Sequence, residues 1–184
     1  MQTIVGRRTR GGPICENQSG TSERYSLCGL YSVNNAVQSR GFLTVEELAP
    51  IVRRLNAAAR EEEGPAPHGD ERYGAYSMQA LHEALRAKGY QLRYLNSTST
   101  FNCKSAKWFR KIPRSTFKHL VIVGRPSGQV EGTWHCIARA AVGDKYYFID
   151  SDELVYKPSS EDGLRHFFVE LGCVYAVEPI NNQK

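Results

Sequence analysis

Five cysteines and five histidines are the side chains best suited to nucleophilic or proton-transfer chemistry in this sequence. Cys28 stands out by its place. It follows the irregular stretch SERYSL, precedes the small residue Gly29, and opens a segment in which Leu30, Val33 and Val37 recur at helical spacing. A cysteine in the first turn of a helix meets unpaired backbone N–H groups and the positive end of the helix dipole, and both favour thiolate over thiol. The same N–H groups can hold a developing oxyanion. The alternative for Cys28 is the role of most free cysteines, a small buried hydrophobe.

A base for this thiol comes from the second half of the chain. The segment WHCIARAAVGDKYYFID reads as a hairpin around Gly143-Asp144, a Gly-X pair suited to a type II′ turn. Pairing Val142 with Lys145 sets His135 opposite Asp152 and Ile137 opposite Asp150, and alternation puts His135, Asp150 and Asp152 on one face. A carboxylate there can orient the imidazole and leave its other nitrogen to exchange a proton with the thiol. The candidate catalytic set is therefore Cys28 as nucleophile, His135 as base and Asp150 as the orienting residue, with Asp152 as its rival. The remaining histidines fit structural or solvent roles: His68 in a loop, His82 and His166 in helices, His119 ahead of a strand with no carboxylate near it. Cys15, Cys103, Cys136 and Cys173 lack the helix-start setting, and Cys136 and Cys173 read as strand residues.

The elements that must position these groups follow from the local signals. A first helix is expected over 28–38, stopped by Gly41. Thr44 and Glu47 form a capping box for a second helix with Leu48, Ile51, Val52 and Leu55 on one stripe, extending as a polar continuation to Glu63. GPAPHGDERYG at 64–74 reads as an exposed loop or flap. Ser77 caps a third helix that Gly89 ends. Strands are then predicted at 90–95, 120–123, 135–142 and 145–149, a last helix at 161–171, and a final strand at 173–177. Helices first and mostly antiparallel strands later make the fold class α+β.

Composition sets the frame. The chain of 184 residues suits one compact domain, and no apolar run is long enough for a membrane span. The cysteines show no CxxC spacing, so neither a disulfide framework nor a zinc site is indicated, and no metal or cofactor is expected. The start has arginines but no apolar core of a secretory signal. A reducing, cytoplasmic setting is the simplest reading, with the nucleus or delivery into a host cell as variants. The net charge of +5 is partly local: Lys104, Lys107, Arg110, Lys111, Arg114 and Lys118 crowd a segment that also holds Phe101, Trp108, Phe109 and Phe117. Basic residues among aromatics can bind nucleic acid. Without an accompanying motif, a solvated face with its aromatics turned into the core is the preferred reading.

Five pieces in order resemble the Josephin family of deubiquitinating, papain-like cysteine proteases. SLCGLYSVNNAVQ is similar to the family's nucleophile helix, including the Asn34-Asn35 pair. FLTVEELAPIVRRL is similar to its second helix, and the charged stretch after it to a shortened version of its mobile arm. YSMQALHEALRAKGYQLRYLNS is similar to its third helix and following strand, the hairpin from His135 to Asp150 keeps its spacing, and Leu164 to Pro179 fits its last helix and strand. The resemblance implies a Josephin-like catalytic domain over 23–180, after an irregular segment 1–22 and before a tail at 181–184, with N-terminal helices packed on a mostly antiparallel sheet. It implies hydrolysis at the C-terminal glycine of ubiquitin or polyubiquitin, with Cys28, His135 and Asp150 in the roles above, Asp150 at a position where the family also uses Asn. Three departures accompany it: Glu23 stands where the family has its oxyanion glutamine, with Gln18 or the backbone as substitutes; Cys136 follows the histidine where an aromatic is usual, while Trp134 precedes it; and the arm is short. Two other functions share this pattern, a Gly-Gly-cleaving peptidase of the bacteriocin-leader type and a catalytically impaired ubiquitin-binding module. The RTRGG stretch at 8–12 is similar to the tail of ubiquitin and could occupy the slot of its own or a neighbouring molecule; a flexible basic tail with a chance Gly-Gly is the preferred reading.

Overall fold

The computed structural model describes residues 12–16, 26–60, 64, 66–71, 74–95, 106–126, 129, 134–152 and 155–180, with side chains 106–108 left aside. Three helices, α1 (Cys28–Val37), α2 (Val45–Ala58) and α3 (Met78–Ala87), precede β1 (Tyr90–Tyr94). The short α4 (Ala106–Lys111) leads to β2 (Leu120–Pro126), β3 (His135–Val142), β4 (Lys145–Ile149) and β5 (Tyr156–Pro158), and α5 (Glu161–Phe167) runs into β6 (Phe168–Pro179). The strands form one sheet in the order β1-β6-β2-β3-β4-β5, antiparallel at every pairing. The fold class is thus α+β.

Strand alternation divides the sheet between two cores. Val121, Ala138, Ala140, Ile149 and Val177 face α1, α2 and α3, where Leu30, Val33, Leu48, Val52, Leu81 and Leu85 are buried. Leu120, Ile122, Ile137, Phe148 and Val174 face the opposite layer with Phe109 of α4 and Leu164 of α5. The sheet is therefore a middle layer, with α1, α2 and α3 on one side and α4 and α5 on the other. Phe109 and the partly buried Phe117 belong to this second core, and Arg110 pairs with Glu161 at 3.3 Å. These residues of the basic segment do what its structural reading expects.

The capping signals operate as expected. Thr44 and Glu47 make both halves of their box, and the Ser77 hydroxyl accepts from the Ala80 N–H. Three boundaries differ. The first helix is stopped by Gln38, which takes a left-handed conformation at φ 56°, while Gly41 serves the turn beyond. The second helix ends at Ala58, because Ala59 and Arg60 are not helical; residues 61–63 lie outside the described part. The last helix ends at Phe167 and not at 171, since the residues after it pair with β2: Phe168 with Pro126, Glu170 with Arg125 and Leu171 with Gly124. Phe168 and Leu171 are buried while Val169 is exposed, so the segment packs as a strand with an irregular register.

The described residues of the 64–74 stretch are tied down more than an exposed flap would be. Gly74 bridges both Ser26 and Asp70, the Ala75 N–H donates to the Ser26 carbonyl at 2.6 Å, and Asn56 holds His68 and Gly69. Residues 12–16 have no regular structure, as expected, yet they lie against α1. Gln38 exchanges hydrogen bonds with both backbone groups of Ile14, and Asn35 does the same with Glu16. The buried Glu16 carboxylate accepts from Asn34 at 2.6 Å and from the Gly41 N–H. Asn34 also bonds both backbone groups of Leu43. The Asn34-Asn35 pair thus staples the N-terminal segment and the α1–α2 turn onto the helix that starts with Cys28.

Candidate active site

Helix α1 begins at Cys28 behind Leu27, whose apolar side chain makes no capping bond, so the first-turn N–H groups are not covered by a cap. Leu27 is buried and the Tyr31 N–H donates to its carbonyl at 3.0 Å, which fixes where the helix starts. Cys28 is only partly buried and reachable from solvent.

The hairpin has the register read from its sequence. Val142 pairs with Lys145 and the ladder runs to Ala138 opposite Ile149. Gly143 has φ 62° and Asp144 does not have a positive φ, as a type II′ turn requires. Beyond the ladder the chain leaves the strand at Asp150. The Asp150 N–H donates to the Val155 carbonyl at 2.9 Å, and its Oδ1 accepts from the Asp152 N–H at 2.8 Å, an Asx-type turn that points the carboxylate back at β3. The same oxygen lies 2.8 Å from Nε2 of His135. Nδ1 is 3.5 Å from Asp152, whose carboxylate is far more exposed. Both acids reach the imidazole, but Asp150 is the short, buried partner and Asp152 the longer one.

The structure brings Cys28, His135 and Asp150 together. Cys28 lies beside His135 and Cys136, and the His135 ring and the thiol and N–H of Cys136 are the groups that act on its sulfur. The Cys136 thiol, the His135 imidazolium and the Cys136 N–H hold the Cys28 thiol down to about 4, against the opposing effect of burial. Burial alone would lower His135, but the bonds to Asp150 and to Cys28 raise it to about 10. The resting state between these values is a thiolate–imidazolium pair. Cys136, completely enclosed and beside a thiolate, is pushed well up and keeps its proton.

Cys136 is the member that sequence reasoning missed. The signal was available in the strand: Ala138 and Ala140 face α1, and alternation carries Cys136 to that same face. Two of the other histidines, His68 and His82, behave as structural groups. His68 bonds Ser77 at 3.0 Å, and His82 accepts from the Leu92 N–H at 3.3 Å. Trp134, just before His135, is exposed, and its ring lies so close to Gly172 that a Cβ there would come within 2.8 Å of it. Glu23, Gln18 and Cys103 lie outside the described residues, as do positions 8–11 of RTRGG. Gly12 is two residues from Ile14, which is pinned to Gln38 at the opposite end of α1 from Cys28. A ten-residue helix spans roughly 15 Å, so Gly12 cannot lie at its own thiol unless that staple opens.

The donor atoms of His135, Asp150 and Asp152 lie within 4.8 Å of one another, a spacing that a metal ion could share. Such an ion would occupy one imidazole nitrogen and displace a carboxylate from it. No helix among the described residues is long and apolar enough to cross a membrane. The sequence matches no model of a known protein family, and no curated protein is significantly similar to it.

Proposed function

We propose that this chain is a cysteine hydrolase of the papain type and, on its resemblance to the Josephin family, a deubiquitinase. The observation that carries the reading is the partly exposed Cys28 at the start of α1, in contact with a His135 whose far nitrogen is bound by buried Asp150 at 2.8 Å.

The geometry supports acyl transfer. The Cys28 thiolate attacks the carbonyl carbon of the substrate's terminal glycine, and the uncapped N–H groups at the start of α1 receive the oxyanion. The His135 imidazolium then gives its proton to the leaving amine, and the C–N bond breaks to leave a thioester. Neutral His135 takes a proton from water, whose oxygen attacks the thioester carbon; the C–S bond then breaks, releasing the acid and restoring the Cys28 thiolate beside the imidazolium. Asp150 keeps Nε2 committed, so that proton transfer runs through the nitrogen facing Cys28. Ubiquitin as the acyl donor rests on the family resemblance, because charge and site geometry do not select it.

A ubiquitin probe with a C-terminal electrophile tests the proposal. Covalent capture that maps to Cys28 and disappears in Cys28→Ala is the expected result. Binding without capture would make the chain a ubiquitin-binding module. Neither binding nor capture, with Cys28 still reactive toward a small alkylator, would leave a peptidase for a different substrate.

A further inference from the structure

We propose that Cys136 is the resolving partner of Cys28, so that peroxide converts the site to a reversible Cys28–Cys136 disulfide and switches the enzyme off. The proposal rests on the reading of Cys28 as the reactive thiol and adds a modification to the same site.

Geometry selects this pair. Cys136 is the second residue of β3, alternation with Ala138 and Ala140 puts it on the face that packs against α1, and its thiol is the neighbour that acts most strongly on the Cys28 sulfur. Cys173 is not among the groups that act on the Cys28 sulfur. It pairs with Val123 from the side of β2 opposite Cys136, two strand spacings or roughly 10 Å away between Cα atoms, so it does not compete for Cys136 either. Cys15 lies near the other end of α1, three residues after Gly12 and bracketed by the staples at Ile14 and Glu16. Among the described residues, the thiol in reach of Cys28 is that of Cys136.

The chemistry balances with a peroxide as oxidant. The Cys28 thiolate attacks the O–O bond; an S–O bond forms, the O–O bond breaks, and hydroxide or alkoxide leaves. Sulfur has given up two electrons and Cys28 is a sulfenic acid. The Cys136 sulfur then attacks the Cys28 sulfur, the S–OH bond breaks, and the departing hydroxide takes the Cys136 proton to become water. Two thiols and one peroxide yield a disulfide and two waters or a water and an alcohol. Because Cys28 is no longer anionic after the first step, the main cause that holds the Cys136 proton is gone when Cys136 must attack. A dithiol reductant reverses the product. The burial of Cys136 directs its thiol to the neighbouring sulfur rather than to solvent oxidants.

The test uses the full chain treated with a small excess of hydrogen peroxide, then capped with N-ethylmaleimide and digested without reduction. The expected product is a Cys28 peptide joined to the Cys136 peptide, with the intact mass of the chain before capping lower by about 2 Da for the two hydrogens lost. Modification of Cys28 by the probe should be lost, and restored by dithiothreitol. In Cys136→Ser the same treatment should leave Cys28 as sulfinic or sulfonic acid, and dithiothreitol should recover under about a tenth of that variant's own starting reactivity. A disulfide from Cys28 to any other cysteine, or over-oxidised Cys28 in the unmodified protein, overturns the proposal. The mapping needs no ubiquitin turnover. A linked pair in a protein that hydrolyses no ubiquitin reporter would thus separate failure of the substrate assignment from failure of the redox pair.

Discussion

The thiolate–imidazolium pair predicts an unusual pH profile for alkylation of Cys28 by iodoacetamide. An ordinary thiol with a pKa of 9.0 is roughly one part in a thousand thiolate at pH 6, whereas Cys28 at about 4 is almost wholly thiolate. Lower basicity also means a weaker nucleophile: with a Brønsted slope of about 0.45, a fall from 9.0 to about 4 costs roughly 200-fold in intrinsic reactivity. The two effects together make Cys28 about fivefold faster than a free cysteine at pH 6 and about twentyfold slower at pH 8. Its rate should be flat from about pH 5 to pH 9 and fall only as pH drops through about 4, because the shift is downward and protonation is what removes the nucleophile. The assay is the time course of carbamidomethylation of the Cys28 peptide by mass spectrometry, which separates it from the four other cysteines. The leading cause of the low value is the hydrogen bond from Cys136, so Cys136→Ala should move the acid limb upward by roughly one to two pH units. A wild-type rate that climbs tenfold per pH unit between 6 and 8 would mean an ordinary thiol and refute the ion pair.

Three further outcomes are expected. His135→Ala should lower kcat/KM for a ubiquitin C-terminal amide reporter by about 10³-fold or more, since nucleophile and base act as a unit; activity that survives this change but is lost in His119→Ala would name a different base. Asp150→Ala should cost about 10²-fold in the same assay and Asp150→Asn far less, because an amide oxygen still accepts from Nε2–H; a crippling Asp152→Ala beside a mild Asp150→Ala would exchange their roles. Arg139→Met should lower folding stability by about 3–5 kcal/mol in urea titrations, because it strips the donors from a half-buried hydroxyl and three carbonyls; a midpoint shift no larger than that of a surface substitution would show those bonds to be idle.

What was legible in the sequence was what local rules determine. The hairpin register followed from a Gly-X turn and strand alternation, and it brought His135 to Asp150. The capping box at Thr44 and the Ser77 cap are side-chain-to-backbone bonds made within one turn, and both appear where the sequence puts them. The misreadings arose where distant contacts decide. Residues 168–171 have a helix-compatible pattern, yet pairing with Pro126, Arg125 and Gly124 makes them strand. The short β5 exists because β4 offers it an edge, and α4 is a six-residue helix anchored by Phe109 in the second core. Cys28 and His135 were singled out because a cysteine at a helix start and a histidine beside a carboxylate on a hairpin have a sequence signature. Cys136 was passed over because a cysteine inside a strand has none until the helix facing it is identified.

Arg139 gives β3 a second kind of ionic centre. It sits near the middle of the strand with only 1% of its surface exposed, its guanidinium stacked on Tyr146 at 4.1 Å. In place of a carboxylate it gathers oxygens: the Ser159 hydroxyl and the carbonyls of Pro113, Ser115 and Phe117. The arrangement works like a peptide loop wrapped around a metal ion, except that the ion is covalently part of the chain and is synthesised 22 to 26 residues after the carbonyls that coordinate it. Until β3 docks, that loop has nothing to wrap, so its closure reports that the centre of the sheet has assembled. Guanidinium keeps its charge throughout the working pH range and has no redox chemistry. One strand therefore carries a chemically adjustable ion pair at its beginning and a permanent cation four residues on. Acid or oxidant can silence the first without loosening the clasp formed by the second.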